Sequence, residues 1–272
     1  MFRLCISSPI SRYRMTDTDS VLASLHEFLP GERAPERSIL VVNWRGSEPV
    51  RQLLEETFDP LPLEVEEREE SEREENLVVL VEDGEVVATS PLRSLREAVL
   101  LVNTDLYRTG LSGIEKYEAP DVLTELDEMS FDLRGLPAST KEKLLLVVMS
   151  RFIEKRALEV GEGRLDVAFQ KLSRMEDEYG TKQVYERLAD TDLDIHVYGV
   201  PDATPGPDGL TVHAGETESY RRSWFVVFDP PAGNEPAALL AIETGPNRWD
   251  SMWTYDRDRV ERLQTLIRSG FS

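Results

Sequence analysis

The sequence predicts a mixed α/β fold in which a central mixed sheet is flanked by helices, with an α+β arrangement in the C-terminal half. In the first half, short apolar runs alternate with amphipathic segments, which is the pattern of strands that alternate with helices. In the second half, amphipathic helical segments come first and a series of apolar, strand-like runs follows. A chain of 272 residues is long enough to bury a substantial core.

The first half is predicted to contain helices, strands and a hairpin, and their alternation favours a mixed or mainly parallel sheet. The helices are a segment capped by Ser20, residues 48–57 and residues 91–102. The strands are residues 38–43 and 61–66, and the hairpin covers residues 76–88 with its turn at Asp83-Gly84.

The second half follows a less regular connection at residues 103–136, which includes a short predicted helix at 121–128. Helices are then expected at residues 139–160, 165–175, 181–188 and 256–268. Strands are expected at residues 194–198, 210–213, 224–228 and 237–243.

The chain divides into residues 1–15, an N-terminal α/β region at 16–136 and a C-terminal region at 137–272. The first fourteen residues carry three arginines and no acid, and their apolar stretch is too short for a signal peptide. We therefore expect translation to start at Met15, or residues 1–14 to form a disordered tail. No flexible linker separates the other two regions, so we expect them to pack as one continuous unit.

The charge balance is strongly acidic. Acidic residues exceed basic residues by 21, and only six of the 31 basic residues are lysines. Such a surface suits a halophilic cytosol with molar salt, in which charge repulsion is screened within about 3 Å; an acidic protein of an ordinary cytosol is the alternative. No basic patch offsets repulsion by nucleic acid or by anionic membranes, so we predict a cytoplasmic protein that contacts neither directly.

The lack of cysteine pairs and of long apolar segments excludes several kinds of structure. Cys5 is the single cysteine, which excludes an intrachain disulfide and a cysteine-based metal site. No window approaches eighteen consecutive apolar residues, so no membrane-spanning helix is predicted.

The sequence carries no catalytic signature. It has no G-x-x-x-x-G-K-[ST] loop, no H-E-x-x-H zinc motif and no G-x-S-x-G nucleophile elbow. Gly161-Glu162-Gly163 begins like a dinucleotide-binding fingerprint, but Asp166 stands in place of the third glycine. We therefore predict that the protein is not an enzyme and holds no metal, and the sequence identifies no cofactor.

Two ionisable side chains are interpreted as structural. His196 alternates with apolar neighbours in a predicted strand, where a packed histidine is expected rather than a functional one. Glu154 lies in an apolar helical run beside Arg151 and Lys155. An ion pair within this helix or between helices is therefore expected for Glu154.

The tryptophans near the C-terminus are interpreted in two ways. Trp224 continues an apolar run at 224–228 and is expected in the core. Trp249 and Trp253 flank a polar loop after Gly245-Pro246-Asn247. An indole in that setting can pack and still donate its N–H, which is typical of the wall of a pocket.

Five short motifs follow one another in the second half: Ser150-Arg151-Phe152-Ile153-Glu154, Phe169-Gln170-Lys171-Leu172-Ser173-Arg174, Tyr185-Glu186-Arg187-Leu188-Ala189, Tyr198-Gly199-Val200-Pro201-Asp202 and Trp253-Thr254-Tyr255-Asp256. In this order they resemble the motifs of the DICT sensory domain. Each is weak alone, and their common order makes the resemblance specific. It identifies residues 137–272 as a DICT-like sensory region in which Arg151, Glu154, Phe169, Tyr185, Gly199 and Pro201 are motif or structural residues.

The resemblance implies a non-catalytic sensory role in signal transduction, of the kind found with diguanylate cyclases and two-component proteins, with a part in light or environmental response. The layout resembles the stand-alone DICT proteins of haloarchaea. Because no output domain is recognisable, a protein partner (a kinase, a cyclase or a transcription regulator) or a homo-oligomer is implied to carry the signal. A small-molecule ligand is a further implied input, although no motif for a bilin, a flavin or a retinal is present.

The motifs predict a ligand site at one strand end. Their elements are consecutive, so they are expected to converge at the carboxyl end of a strand, where α/β sheets usually bind ligands. Polar groups are expected from Gln170, Arg174 and Asp202, and an apolar wall from Tyr198, Trp249 and Trp253. The alternative is that these residues serve the fold alone, with Asp202 in a turn and Gln170 bonded to loop backbone.

Three functions follow from these observations. The favoured one is a sensor or adaptor that binds a small ligand or a protein partner without chemistry. The second is an assembly subunit of a signalling complex, which buries the apolar face at 144–149 or its aromatic C-terminal end against another chain. The third is an enzyme that acts on a small molecule through the carboxylates of Glu154 and Asp202.

Overall fold

The computed structural model describes residues 17–29, 37–43, 64–69, 76–105, 114, 117–127, 131–134, 144–177, 179–203, 206–246 and 248–271. These residues form two mixed sheets with helices against them, which confirms the predicted α/β class. The single central sheet that the sequence suggested is thus divided in two. Within the described ranges, no helix has the length and apolar character that crossing a bilayer requires.

The first sheet has four strands in the order β2-β1-β3-β4. Its elements are helix α1 (Asp17–His26), β1 (Arg37–Val42), β2 (Glu64–Arg68), β3 (Leu77–Glu82), β4 (Glu85–Pro91) and helix α2 (Leu92–Asp105). Strands β1 and β2 are parallel, and the other two pairings are antiparallel. The sheet is therefore mixed, as the alternation of elements predicted.

The hairpin of β3 and β4 is confirmed at the expected turn. Glu82 pairs with Glu85, and the two residues between them, Asp83 and Gly84, have φ angles of 49° and 84°. Two successive left-handed residues are what a tight two-residue hairpin requires, and Asp-Gly is a favoured pair for it. The predicted strand at 38–43 corresponds to β1, and the helix predicted at 91–102 begins at Leu92 as α2.

The start of α1 differs from the prediction. The helix begins at Asp17, so Ser20 lies within it and is not its cap. Leu22 and Leu25 nevertheless form its buried face, as their spacing indicates. The predicted helix at 48–57 and the first three residues of the strand predicted at 61–66 lie outside the described residues.

The second sheet has seven strands in the order β5-β11-β10-β9-β6-β7-β8. Its strands are β5 (Phe131–Arg134), β6 (Glu162–Lys171), β7 (Asp192–Val200), β8 (Thr211–Ala214), β9 (Ser223–Asp229), β10 (Ala237–Gly245) and β11 (Arg248–Thr254). The helices are α3 (Asp121–Thr124), α4 (Leu144–Val160), α5 (Ser173–Asp177), α6 (Tyr179–Ala189), α7 (Glu218–Arg222) and α8 (Arg257–Gly270). Strands β6, β7 and β8 are mutually parallel, and the remaining pairs are antiparallel.

The helix predicted at 165–175 is wrong, because residues up to Lys171 belong to β6 and only α5 is helical. Strand β6 lies between β9 and β7, and its consecutive buried residues Leu165 to Ala168 show that both of its faces are covered. The sequence of a strand that is buried on both faces is a nearly continuous apolar run, and such a run is compatible with a helix as well as with a strand.

Two strands of this sheet were not predicted. Strand β11 contains the segment that was interpreted as a polar loop between tryptophans, and it pairs with β10. Strand β5 lies in the stretch predicted to be a connection, and it pairs with β11. Each of these strands forms because it pairs with a neighbouring strand of the sheet. The local pattern of apolar and polar residues does not show such a pairing.

The second sheet has a different core on each face. On one face, α4 packs through Leu146, Met149 and Ile153 in a cluster that also contains Ile39 and Leu80 of the first sheet. On the other face, α1 and α8 pack over β9, β10 and β11. The apolar residues 145–149, which were considered as an assembly surface, are at most 9 % exposed and already lie inside the chain.

Candidate functional site

The end of β6 holds the most unusual backbone among the predicted site residues. Gln170 has a φ of 62° and is 4 % exposed. The register between β6 and β7 shifts between Ala168 and Lys171, which identifies a bulge at this point. A residue other than glycine in the left-handed region costs about 1 kcal/mol or more, so surrounding contacts must hold it there.

Those contacts are made by the Gln170 side chain. Its Nε2 donates to the backbone oxygen of Arg221 at 2.8 Å and to Oε2 of Glu243 at 3.1 Å. Its Oε1 accepts a hydrogen bond from Nη1 of Arg174 at 2.5 Å. The side-chain amide thus joins α5, α7 and β10 at the carboxyl end of β6.

Asp202 lies just beyond β7, at the same end of the sheet. Its carboxylate accepts hydrogen bonds from the backbone N–H and the hydroxyl of Ser173, both at 2.9 Å. These bonds lower the pKa of Asp202, because they favour its charged form. Asp202 therefore anchors the first turn of α5 through Ser173.

The other residues of this motif shape the turn after β7. A Cβ on Gly199 would lie 3.0 Å from Cδ2 and 3.2 Å from the backbone nitrogen of Leu172, so glycine permits the close approach of β7 to the end of β6. Pro201 is exposed where β7 ends. Gln170, Arg174 and Asp202 are thus brought to one end of the sheet, as the sequence predicted.

The aromatic wall expected beside them does not form as one surface. Tyr198 belongs to the core cluster under α1 and α8, whereas Trp249 and Trp253 belong to the cluster under α4. The tryptophans are 2 % and 0 % exposed, and β11 is separated from β7 by β10, β9 and β6. The prediction that these three rings line one pocket is therefore corrected, because they lie on opposite faces of the sheet.

Trp249 is still close to the Gln170 contacts in the sheet. It is the direct cross-strand neighbour of Glu243, and its ring packs edge-on against Trp224 at 6.2 Å between centroids. Trp224 is partly exposed beside the core, whereas Trp249 is enclosed by it.

The first and third motifs of the DICT resemblance meet in a buried polar network. Arg151 and Glu154 form an ion pair on α4, as expected for Glu154. Arg151 also donates to the hydroxyl of Thr181 at 2.8 Å, and the hydroxyl of Tyr185 donates to Glu154 at 2.9 Å. Burial and the charge of Glu154 raise the pKa of Tyr185, so its hydroxyl stays protonated. Phe169 packs edge-on against the Tyr185 ring at 5.3 Å between centroids.

A second polar network lies on the opposite face of the sheet, at β6, β7 and β8. Arg164 binds Asp166 through two hydrogen bonds of 2.8 Å, and Tyr198 donates to the same carboxylate at 2.8 Å. Asp166 has no exposed surface. Burial and the Asp166 charge raise the pKa of Tyr198, so its hydroxyl remains a donor.

Two histidines complete this network. Nδ1 of His196 lies 2.9 Å from Nε2 of His213, and the ring of His213 stacks on that of Tyr198 at 4.4 Å between centroids. His196 is packed, as its alternation predicted, and it also bonds to charged neighbours. The sequence did not indicate Arg164, Asp166 or His213, although polar residues at every second position of two adjacent strands are a signal for a polar strip on one face.

A cleft of about 1160 Å³ opens beside the first half of α8. Its lining consists of Asp127, Tyr255, Asp256, Asp258, Arg259, Glu261, Arg262 and Thr265. Four carboxylates and two guanidinium groups would surround a ligand there. Asp256 is already engaged as the cap of α8, because it accepts the backbone N–H of Arg259 at 2.8 Å. In the part of the chain that the structure describes, no three His, Cys, Asp or Glu residues are grouped to hold a metal ion.

In the comparison with known proteins, one family model matches part of the chain. Residues 121–244 match the family model of DICT, which is described as a sensory domain in diguanylate cyclases and two-component systems. The matched segment runs from α3 into β10 and covers a little under half of the chain. It begins sixteen residues before the predicted boundary at 137, so it includes β5. No curated protein and no solved structure matches the chain.

Proposed function

We propose that this chain is a non-catalytic sensory protein of signal transduction, and that it binds a small ligand or a protein partner at the carboxyl end of β6. The match to a sensory domain supports the signalling role. The site is proposed from the contacts of Gln170, Arg174 and Asp202, which lie within that match. The stimulus could be light or another environmental signal, and the output would pass through a partner such as a kinase, a cyclase or a transcription regulator.

The backbone of Gln170 is the observation that carries the site. Strained residues that surrounding contacts hold in place cluster at ligand-binding and switch regions. Gln170 is also at the end of two parallel strands, the usual place for a ligand in such sheets. Any movement of its side chain would alter contacts with Arg174, Glu243 and the Arg221 backbone at once. Ligand binding at this point could therefore be transmitted to three elements.

Arg174 is the group best suited to meet a ligand. Its guanidinium is partly exposed and is oriented by the hydrogen bond to Gln170. Arginine recognises carboxylates and phosphates through paired donors, and a pre-oriented side chain loses less entropy on binding. A ligand or a partner surface with an anionic group fits this arrangement.

The two carboxylates on which the enzyme alternative depends are engaged in contacts within the protein. Both oxygens of Glu154 are engaged, one by Arg151 and the other by Tyr185, and the residue is 2 % exposed. Both oxygens of Asp202 accept hydrogen bonds from Ser173. Glu154 is therefore not positioned to exchange a proton with a substrate, and Asp202 is engaged in holding the first turn of α5, which favours the non-catalytic interpretation.

Native mass spectrometry after incubation with a metabolite extract tests the proposal. We expect wild-type protein to retain a small molecule or a copurifying protein, and we expect Gln170→Gly and Arg174→Gln to lose at least tenfold of that occupancy. Arg268→Gln, on the exposed last turn of α8, is the matched control and should bind like wild type. Equal occupancy in all four proteins, or no retained species in any of them, would overturn the proposed site.

A further inference from the structure

His196 and His213 lie at the edge of the second sheet, where β8 is the last strand. Strand β8 has four residues and pairs only with β7 among the described strands. In this pairing His196 is opposite Thr211, and Tyr198 is opposite His213. The short edge strand is therefore attached by a few backbone contacts and by the side chain of His213.

The two imidazoles meet end to end. The nitrogens are 2.9 Å apart while the ring centroids are 5.2 Å apart, so both nitrogens lie close to the line that joins the rings. This is the geometry of an N–H···N hydrogen bond, in which one nitrogen donates and the other accepts. In such a hydrogen bond a single proton lies between the two rings.

Nε2 of His196, the ring nitrogen that faces away from His213, has one neighbour that can only donate a hydrogen bond and one that can only accept. Nε2 lies 2.7 Å from Nη1 of Arg164 and 3.0 Å from Oδ1 of Asp194. A guanidinium only donates and a carboxylate only accepts. When Nε2 is unprotonated it accepts from Arg164, and when it is protonated it donates to Asp194. The bonding of His196 on this side thus depends on its protonation.

We propose that His196 and His213 form a proton-responsive latch, which holds β8 against β7 while the pair shares one proton and releases β8 when both rings are fully protonated. In the doubly protonated pair, N–H groups of two cations would face each other at a distance of 2.9 Å. Neither nitrogen would retain a lone pair to accept the other, so the hydrogen bond is lost and the charges repel. Strand β8 then keeps its backbone pairing and the stacking of His213 on Tyr198, without the hydrogen bond between the imidazoles.

The charged and titratable groups recorded around the pair come from β6 and β7: they are Arg164, Asp166, Asp194 and Tyr198. Burial, His196 and Arg164 lower the pKa of His213 from its ordinary value of 6.5, and Asp166 acts in the opposite direction. Because the pKa of His213 is lowered in the attached strand, the ring binds a proton more readily when β8 is detached than when it is attached. The contribution of His213 to the attachment of β8 is therefore complete above pH 6.5 and is lost as the pH falls from there through the lowered pKa.

This inference goes beyond the proposed function and does not depend on it. The histidines lie on the face of the sheet opposite to α4, and none of their recorded contacts involves Gln170 or Arg174. Loss of the ligand site would leave the latch intact, and loss of the latch would leave the ligand site intact. The edge of β7 that β8 covers would become a second, acid-exposed surface for a partner.

Nuclear magnetic resonance of protein labelled with ¹⁵N-histidine tests the latch directly. The chain has three histidines, so the variants His26→Gln, in α1, and His213→Gln together assign the three signals, and His26→Gln serves as the control. At neutral pH we expect His196 to carry its proton on Nδ1 and to have an unprotonated Nε2. We expect His213 to titrate below 6.5. A protonated Nε2 on His196 at neutral pH, or a His213 midpoint at or above 6.5, would overturn the proposal.

Hydrogen exchange of the β8 amides tests the consequence. The amide of Gly215 donates to the backbone oxygen of Gly199 at 3.2 Å and serves as a reporter with residues 211–214. Between about pH 8 and pH 5, we expect protection factors of these amides to fall roughly tenfold, the effect of one lost hydrogen bond. His213→Gln, whose amide can accept from His196 and does not titrate, should remove this pH dependence, whereas His26→Gln should retain it. The same fall in His213→Gln would contradict the latch.

Discussion

The hydroxyl of Tyr198 donates a hydrogen bond of 2.8 Å to Asp166, a carboxylate with no exposed surface. Arg164 binds the same carboxylate through two further hydrogen bonds, so a neutral donor and a cation together compensate a buried charge. Such a network stabilises the native state only while every member is present, since an unpaired buried charge is costly.

The first prediction concerns this pair. Asp166→Asn removes the negative charge and leaves the Arg164 guanidinium beside a neutral amide, so we expect a loss of about 3 kcal/mol in the free energy of unfolding. Tyr198→Phe removes one neutral donor and should cost about 1 kcal/mol. Urea denaturation of both variants gives the comparison. Equal losses would show that the ion pair adds nothing to the hydrogen bond.

The second prediction tests backbone strain at Gln170. Gln170→Ala and Gln170→Gly both remove the side-chain amide, but only glycine adopts a φ of 62° without a steric penalty. We therefore expect the glycine variant to be more stable than the alanine variant by about 1 kcal/mol, measured by urea denaturation. An alanine variant as stable as the glycine variant would mean that the chain relaxes away from the left-handed conformation.

The third prediction concerns the ion pair in α4. Glu154→Gln leaves Arg151 buried without its counter-charge, and we expect it to cost about 3 kcal/mol or more in the free energy of unfolding. The matched control is Glu159→Gln on the same helix, because Glu159 is exposed and lies 3.6 Å from Lys155. That substitution should change stability by less than about 0.5 kcal/mol. Thermal and urea unfolding of both variants decide the comparison.

The fourth prediction tests the close approach of β7 to the end of β6. Gly199→Ala places a Cβ 3.0 Å from the Leu172 side chain, which is tighter than ordinary contact. We expect a loss of about 1–3 kcal/mol from this overpacking. Gly245→Ala is the control, because a Cβ there would meet no atom within 4 Å. A Gly199→Ala variant as stable as the control would show that Leu172 moves aside at little cost.

The sequence by itself determined the α/β class, most of the strands and the hairpin turn at Asp83-Gly84, because these depend on local periodicity and on backbone preferences. It also indicated that Gln170, Arg174 and Asp202 lie at one strand end and that Glu154 forms an ion pair. The DICT resemblance is confirmed over residues 121–244.

The tertiary structure alone decided what depends on pairing between distant strands. It assigned residues 165–171 to a strand, because both faces of β6 are covered and its apolar run has no distinctive period. It separated Tyr198 from Trp249 and Trp253, since the face on which a side chain lies follows from strand register. It also placed His213 against His196, two residues that are neighbours only because β8 pairs with β7.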